Sequence, residues 1–284
     1  MKICRFEDDR LGIVDGSEIV DLSGFLEELP AERWAFPLAC PVIQRLPALQ
    51  RYVESHAHTC ARMPYDSVRL HSPVPRPSKI IGAPVNFHAH LDEARADDAL
   101  HQGRHVYPID EIGLFLKAGS ALAGPATPLS LSLPDRRTDP EAEVAVVIGR
   151  EAKDVDVSDA AGYIAGYSLA LDISIRGKED RSMRKSPDGY AVLGPYLVTA
   201  DEVDSSDAIE FELTVNGEVR QQGNTALLIR SVPELIAMAS RFYTLHPGDV
   251  IMTGTPAGVA PIYPGDQLRL TSPALGCLEV VVAG

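Results

Sequence analysis

Residues 141–149 read Glu-Ala-Glu-Val-Ala-Val-Val-Ile-Gly, and no other stretch narrows the possible folds so much. Residues 144–148 are apolar without alternation, as in a strand covered on both faces. Such a strand belongs in the middle of a sheet. At its head stand Glu141 and Glu143, whose side chains at i and i+2 point to the same side. Two neighbouring carboxylates repel each other, so something positive should lie between them. A second apolar run, residues 163–171, stops at a third acid, Asp172. Three acids at strand positions or ends, without paired His or Cys, point to a hard oxygen-liganded cation such as Mg²⁺ or Mn²⁺. The plainer reading is that Glu141 and Glu143 form the wet face of an edge strand. The apolar continuation argues against it, because burying an unpaired charge is costly.

The chain has 284 residues, enough for one large domain or a large one with a small appendage. Residues 1–72 read as a small N-terminal α+β domain, with short strands in KICRF, LGIVDG and EIVDL and helical stretches near FLEEL and in PVIQRLPALQRYVESH. The proline-studded HSPVPRPSK leads into a second domain, 73–284, dominated by strands. Asn216-Gly217 between two alternating runs marks a hairpin. Ser231, followed by Pro233 and Glu234, opens a late helix. Helices do not alternate regularly with strands, so the fold class expected is α+β, mainly β, with a rolled or sandwiched sheet. Residues 88–111 are polar, with weak helical periodicity, and suit a mobile lid.

The net charge of −14 argues against nucleic acid or an anionic membrane as partner, though not against a small anion held beside a cation. Cys4, Cys40, Cys60 and Cys277 form no disulfide or zinc spacing and suit a reducing cytoplasm. No signal peptide or membrane-spanning run is visible.

Four further groups carry possible chemistry. His90 and Glu93 share one face of a helical turn, and a carboxylate that fixes an imidazole suits it to act as general base. A surface ion pair has the same spacing. Lys185 could stabilise an oxyanion or be an ordinary solvated lysine. Arg176 could fork a substrate carboxylate or lie on the surface. Thr255, in the turn TGTPAG, could bond a carboxylate, and a plain tight turn has the same residues. His88, His101 and His105 match no standard zinc spacing.

Taken in order, these segments resemble the fumarylacetoacetate hydrolase family. NFHAHLDE is similar to its Asn-aromatic-x-x-His-x-x-Glu signature, and GLFLKAGSALAGP to its Phe-x-Lys-x-x-Ser strand and turn. DPEAEVAVVIG is similar to its Glu-x-Glu metal strand, LDISIRG to its Asp-x-Ser-x-Arg stretch, and KSPDGYAVLGP to its Lys-Ser-x-Asp segment. The likeness spans residues 79–280. Phe87 lacks a hydroxyl that many relatives have, and Gly189 stands where Thr is usual. Both departures lie near the expected substrate end.

The resemblance implies a mixed β-roll catalytic domain, a homodimer, and Mg²⁺ or Mn²⁺ held by Glu141, Glu143 and Asp172. It implies catalytic roles for His90, Glu93 and Lys185, and substrate contacts for Arg176 and Thr255. The activity implied is hydrolysis of a carbon–carbon bond in a 1,3-dicarbonyl or acylpyruvate-type 2-oxo acid, as in aromatic-compound or amino-acid catabolism. A 2-oxo acid decarboxylase of the oxaloacetate type, an isomerase or a hydratase would use the same scaffold. A non-catalytic binding protein would show gaps in the ligand set, and none is visible.

Overall fold

The computed structural model describes residues 1–31, 36–103 and 105–284. Its centre is the strand Ala142–Ile148, buried along its whole length. It pairs antiparallel with Ile164–Asp172 on one side and with Val250–Met252 on the other. That explains the unbroken apolar run. Val144, Val146 and Ile148 pack into one core, and Ala145 and Val147 into a second core on the opposite face.

The sheet continues from Ile164–Asp172 to Ala191–Thr199, and from Val250–Met252 to Ile80–Gly82 and Phe115–Lys117. It also rolls. Just after Phe115–Lys117, at one end of the strand order, Leu122–Ala123 pairs in parallel with Ala191–Thr199 in the middle. A second sheet of four strands, Glu218–Asn224, Glu210–Val215, Gln267–Ser272 and Gly276–Val281, covers the first core. The overall class is therefore α+β, mainly sheet, as the strand pattern implied.

The N-terminal strands Lys2–Phe6, Arg10–Asp15 and Glu18–Asp21 form a meander, and Lys2–Phe6 pairs with Ala191–Thr199. The sheet thus runs unbroken across residues 72 and 73. The second core receives Phe25, Ile43 and Leu49 from this N-terminal part, the last on the helix Leu46–His56.

Local chemistry explains the ends of several elements. Asn216 (φ 53°) and Gly217 (φ 82°) are both left-handed, as the tight hairpin between Glu210–Val215 and Glu218–Asn224 requires. The helix Val232–Phe242 starts at a capping box, in which Glu234 accepts from the Ser231 backbone N–H at 2.8 Å. The polar segment after residue 87 contains three short helices, His88–Ala96, Asp98–His101 and Ile109–Ile112.

Candidate active site

The pairing register brings the three acids together. Glu143 lies opposite Ala170, and the Asp172 amide donates to the Glu141 carbonyl at 2.9 Å. Opposed residues share a face. Glu141, Glu143 and Asp172 therefore project to one side, and one carboxylate oxygen from each lies within 4.8 Å of the others. All three are buried, with 5 %, 2 % and 1 % exposure, far from the solvated edge of the plainer reading. They form the sole such group of three metal-ligating side chains among the described residues.

Buried cations answer this charge. Lys185 Nζ bridges Glu141 Oε2 at 2.6 Å and Asp172 Oδ2 at 2.7 Å. Arg176 donates from Nη2 to Glu141 Oε1 at 2.7 Å and from Nε to Asp139 Oδ2 at 2.7 Å. Arg176 is thus buried and engaged rather than a surface residue. Lys117 donates to Asp172 Oδ1 and, at 2.8 Å, to the Tyr190 carbonyl. Burial pulls the Lys117 pKa below its ordinary value, and Asp172 offsets part of that.

The acids respond unequally. Burial pushes the Glu141 carboxyl up, yet Lys185 and then Arg176 outweigh it and hold the pKa well below the usual carboxylate range. Glu143 goes the other way: burial, then Asp172 and Glu141, push its pKa well above the usual range. Its hydrogen bond comes from the Gly254 amide at 2.7 Å, and among the described residues it has no ion pair. A divalent cation on this face fits that environment. The donors are hard oxygens, and Glu143 is the carboxylate short of positive charge.

His90 and Glu93 lie on the helix His88–Ala96 and meet as their spacing predicts, with Nδ1 of His90 2.9 Å from Oε2 of Glu93. His90 is 6 % exposed, so this is no surface pair. The other oxygen of Glu93 accepts from the Gly258 amide at 2.8 Å. The TGTPAG turn therefore holds two acids by the back, Glu143 through Gly254 and Glu93 through Gly258. Both glycines are left-handed (φ 104° and 103°), and a Cβ would strike Asn86 at one and the Arg220 carbonyl at the other. Thr255 between them accepts from Gln221 Nε2 at 2.7 Å, and Gln221 Oε1 accepts from the Ala142 amide at 2.9 Å.

Glu141, Glu143, Asp172, His90, Lys185, Arg176 and Thr255 all line one cavity of about 250 Å³. Glu93 stands behind His90. Sequence reasoning gave no role to Lys117, Asp139 or Gln221. A lysine closing an apolar strand, Leu-Phe-Leu-Lys, was the available signal for the first. Residues 88–111 supply one wall, including Leu100, Val106 and Tyr107. His88 is exposed and forms no metal group with His105, which lines the cavity rim; the side chain of His101 lies outside the described residues.

A rolled mixed sheet with three same-face acids, a His–Glu pair and a shared cavity defines a candidate metal-assisted enzyme acting on small anionic molecules. Residues 79–283 match the family model described as fumarylacetoacetate (FAA) hydrolase, C-terminal. The chain belongs to the fumarylacetoacetate hydrolase family.

It is 47% identical over 284 residues to maleylpyruvate hydrolase of Aquipseudomonas alcaligenes, covering 99% of both chains. It resembles the crystal structure of maleylpyruvate hydrolase from Sphingobium sp. SYK-6 in complex with manganese(II) ion and pyruvate. There the identity is 36%, the TM-score 0.85, and the coverage 100% of this chain and 99% of that one. A mitochondrial oxaloacetate tautomerase of Xenopus laevis is 31% identical over 283 residues, covering 95% of this chain and 84% of its own.

Proposed function

We propose that this chain is a divalent-metal-dependent acylpyruvate hydrolase that takes maleylpyruvate or a close analogue such as fumarylpyruvate. The observation that carries this reading is the opening of an acid triad and a carboxylate-held histidine onto one cavity. The likeness to two maleylpyruvate hydrolases supports it.

Glu141, Glu143 and Asp172 would hold Mg²⁺ or Mn²⁺. When bound, the cation supplies Lewis acidity toward the 2-oxo and carboxylate oxygens of the substrate. The Nδ1–H of His90 is directed at Glu93, which leaves Nε2 with the lone pair of a base. His90 takes a proton from water, and the hydroxide adds to the acyl carbonyl of the substrate. The bond from that carbon to the pyruvate methylene breaks, and its electron pair passes to the enolate of pyruvate. Return of a proton to the methylene carbon gives pyruvate and the free acid. Lys185, already between two carboxylates, stabilises negative charge on a reacting oxygen. The Thr255 hydroxyl accepts from Gln221, and its own hydrogen can turn to substrate. Nε and Nη2 of Arg176 are committed to Asp139 and Glu141, so a substrate carboxylate would meet Nη1.

A tautomerase or decarboxylase acting on oxaloacetate is the second reading, favoured by the Xenopus laevis relative. It needs no water attack. The two separate in His90→Ala, assayed with Mn²⁺ on an acylpyruvate and on oxaloacetate. Hydrolysis should drop about 100- to 10,000-fold, with decarboxylation of oxaloacetate, which needs no base, retained. Undiminished acylpyruvate hydrolysis would sink the assigned role of His90.

Residues 1–72 and 73–284 are proposed as two units, since the family match begins at residue 79. A homodimer in the cytoplasm is proposed with this reading, supported by the family resemblance and by four free cysteines. Among the described residues no helix is long and apolar enough to cross a membrane.

A further inference from the structure

Arg184 lines the cavity and, among the described residues, forms no ion pair. It ends the single helical turn Arg181–Arg184, and the next residue, Lys185, reaches the acid triad. Its side chain lines the same cavity as Glu141, Glu143 and Asp172. Its Nη1 donates to the Ile175 carbonyl at 3.3 Å, near the long limit for such a bond. Its Nε is sealed from solvent and has no partner. A buried donor left unmade is costly, and each such group calls for an explanation.

The neighbouring charges do not supply one. Glu179 is held by Arg136 through two bonds of 2.7 and 2.8 Å. Asp180 accepts from the amide and hydroxyl of Ser182 at 2.8 and 2.7 Å. Glu141 and Asp172 are taken by Lys185, Arg176 and Lys117. Burial, with Arg176 beside it, pulls the Arg184 pKa down to about 10, so it stays cationic at neutral pH.

A guanidinium on the cavity wall that forms no ion pair among the described residues suits a planar carboxylate. The 2-oxo acid end of the substrate is already assigned to the triad and its cations. The same cavity is lined by apolar side chains, Val106, Ile112 and Phe115 among them, suited to a short hydrocarbon spacer.

We propose that Arg184 binds a second carboxylate, at the acyl end of the substrate, and so selects dicarboxylic acylpyruvates over those with a neutral acyl group. This rests on the acylpyruvate reading above.

The test uses the full chain loaded with Mn²⁺, as wild type, Arg184→Met and Arg184→Lys. Each is assayed on maleylpyruvate and on acetylpyruvate, which lacks the second carboxylate. In Arg184→Met, kcat/KM for maleylpyruvate should fall about 100-fold more than kcat/KM for acetylpyruvate, mainly through KM. Arg184→Lys should recover part of the difference. Equal losses on both substrates would place Arg184 at the 2-oxo acid end instead, and no loss on either would remove it from recognition; both overturn the proposal.

Calorimetric titration separates this proposal from the reading beneath it. Maleate and oxalate are titrated into each Mn²⁺-loaded protein. Arg184→Met should lose maleate binding while oxalate binding persists, whether or not the wild type hydrolyses either acylpyruvate. If the wild type turns over neither substrate yet Arg184→Met loses maleate selectively, the hydrolase reading fails and the carboxylate site stands. Unaltered maleate affinity in Arg184→Met overturns the site.

Discussion

The floor of the cavity and its wall solve opposite problems. The floor packs Glu141, Glu143, Asp172 and Asp139 against Lys117, Lys185 and Arg176, all nearly excluded from water. Most of its charges are matched at hydrogen-bond distance, and both long strands that carry the acids are fixed by two neighbours. The wall is built from short helices and a one-turn helix, is largely apolar, and leaves a buried donor of Arg184 without a partner. The floor's chemistry therefore suits any substrate that brings a 2-oxo acid. The wall decides what is attached to it. Relatives with different names can share the first and differ in the second.

The comparison predicts that damage to the floor abolishes turnover, while damage to the wall changes substrate preference. The largest effect should come from Glu143→Gln. Loss of this proposed ligand to the cation should lower Mn²⁺-dependent turnover by more than about 1,000-fold, measured in steady-state assays with added metal. Activity that persists in chelator would break the distinction between floor and wall.

Next in size is a split within the floor itself. Glu141 is neutralised by two buried cations, so Glu141→Gln leaves Lys185 and Arg176 short of a partner and should cost about 3–5 kcal/mol in metal-free unfolding experiments. Glu143→Gln should not, because Glu143 has no such pair. The sign with pH follows from its raised pKa. A carboxyl whose pKa is higher in the folded state favours folding when protonated, and that contribution is lost as pH rises from the ordinary 4.5 through the folded value. In metal-free buffer, Glu143→Gln should therefore gain stability relative to wild type as pH increases over that window. A difference that shrinks instead would mean that Glu143 has a positive partner.

The smallest effect should come from a helix cap outside the cavity lining. Ser231→Ala removes the capping box of Val232–Phe242 and should cost about 1 kcal/mol. Maleylpyruvate-to-acetylpyruvate preference should stay the same. A changed preference would mean that this helix, although it packs in the first core, sets the wall.

Much of the floor was legible in the chain. Glu141 and Glu143 announce themselves because i and i+2 on a strand share a side, and Asp172 because an apolar run ends on it. The His90–Glu93 pair follows from helical spacing. Lys117 was not legible, since its partner is 55 positions away and meets it only because the sheet rolls. In the TGTPAG turn the sequence points to the Thr255 hydroxyl, while the glycine amides that hold Glu143 and Glu93 carry no sequence signal. Arg184 lies in the run RGKEDRSMRK, where nothing in the sequence distinguishes it from the cations beside it.

The sequence alone determined the strand-rich class, the acids as a candidate cation site and the family, because these rest on local periodicity and short-range spacing. Tertiary structure decided which charges face one another, which acid remains without a cation, and which arginine keeps a buried donor without a partner. Those properties depend on burial and on contacts between residues far apart in the chain. Local sequence cannot fix them, because the cost of a charge is set by what surrounds it in space.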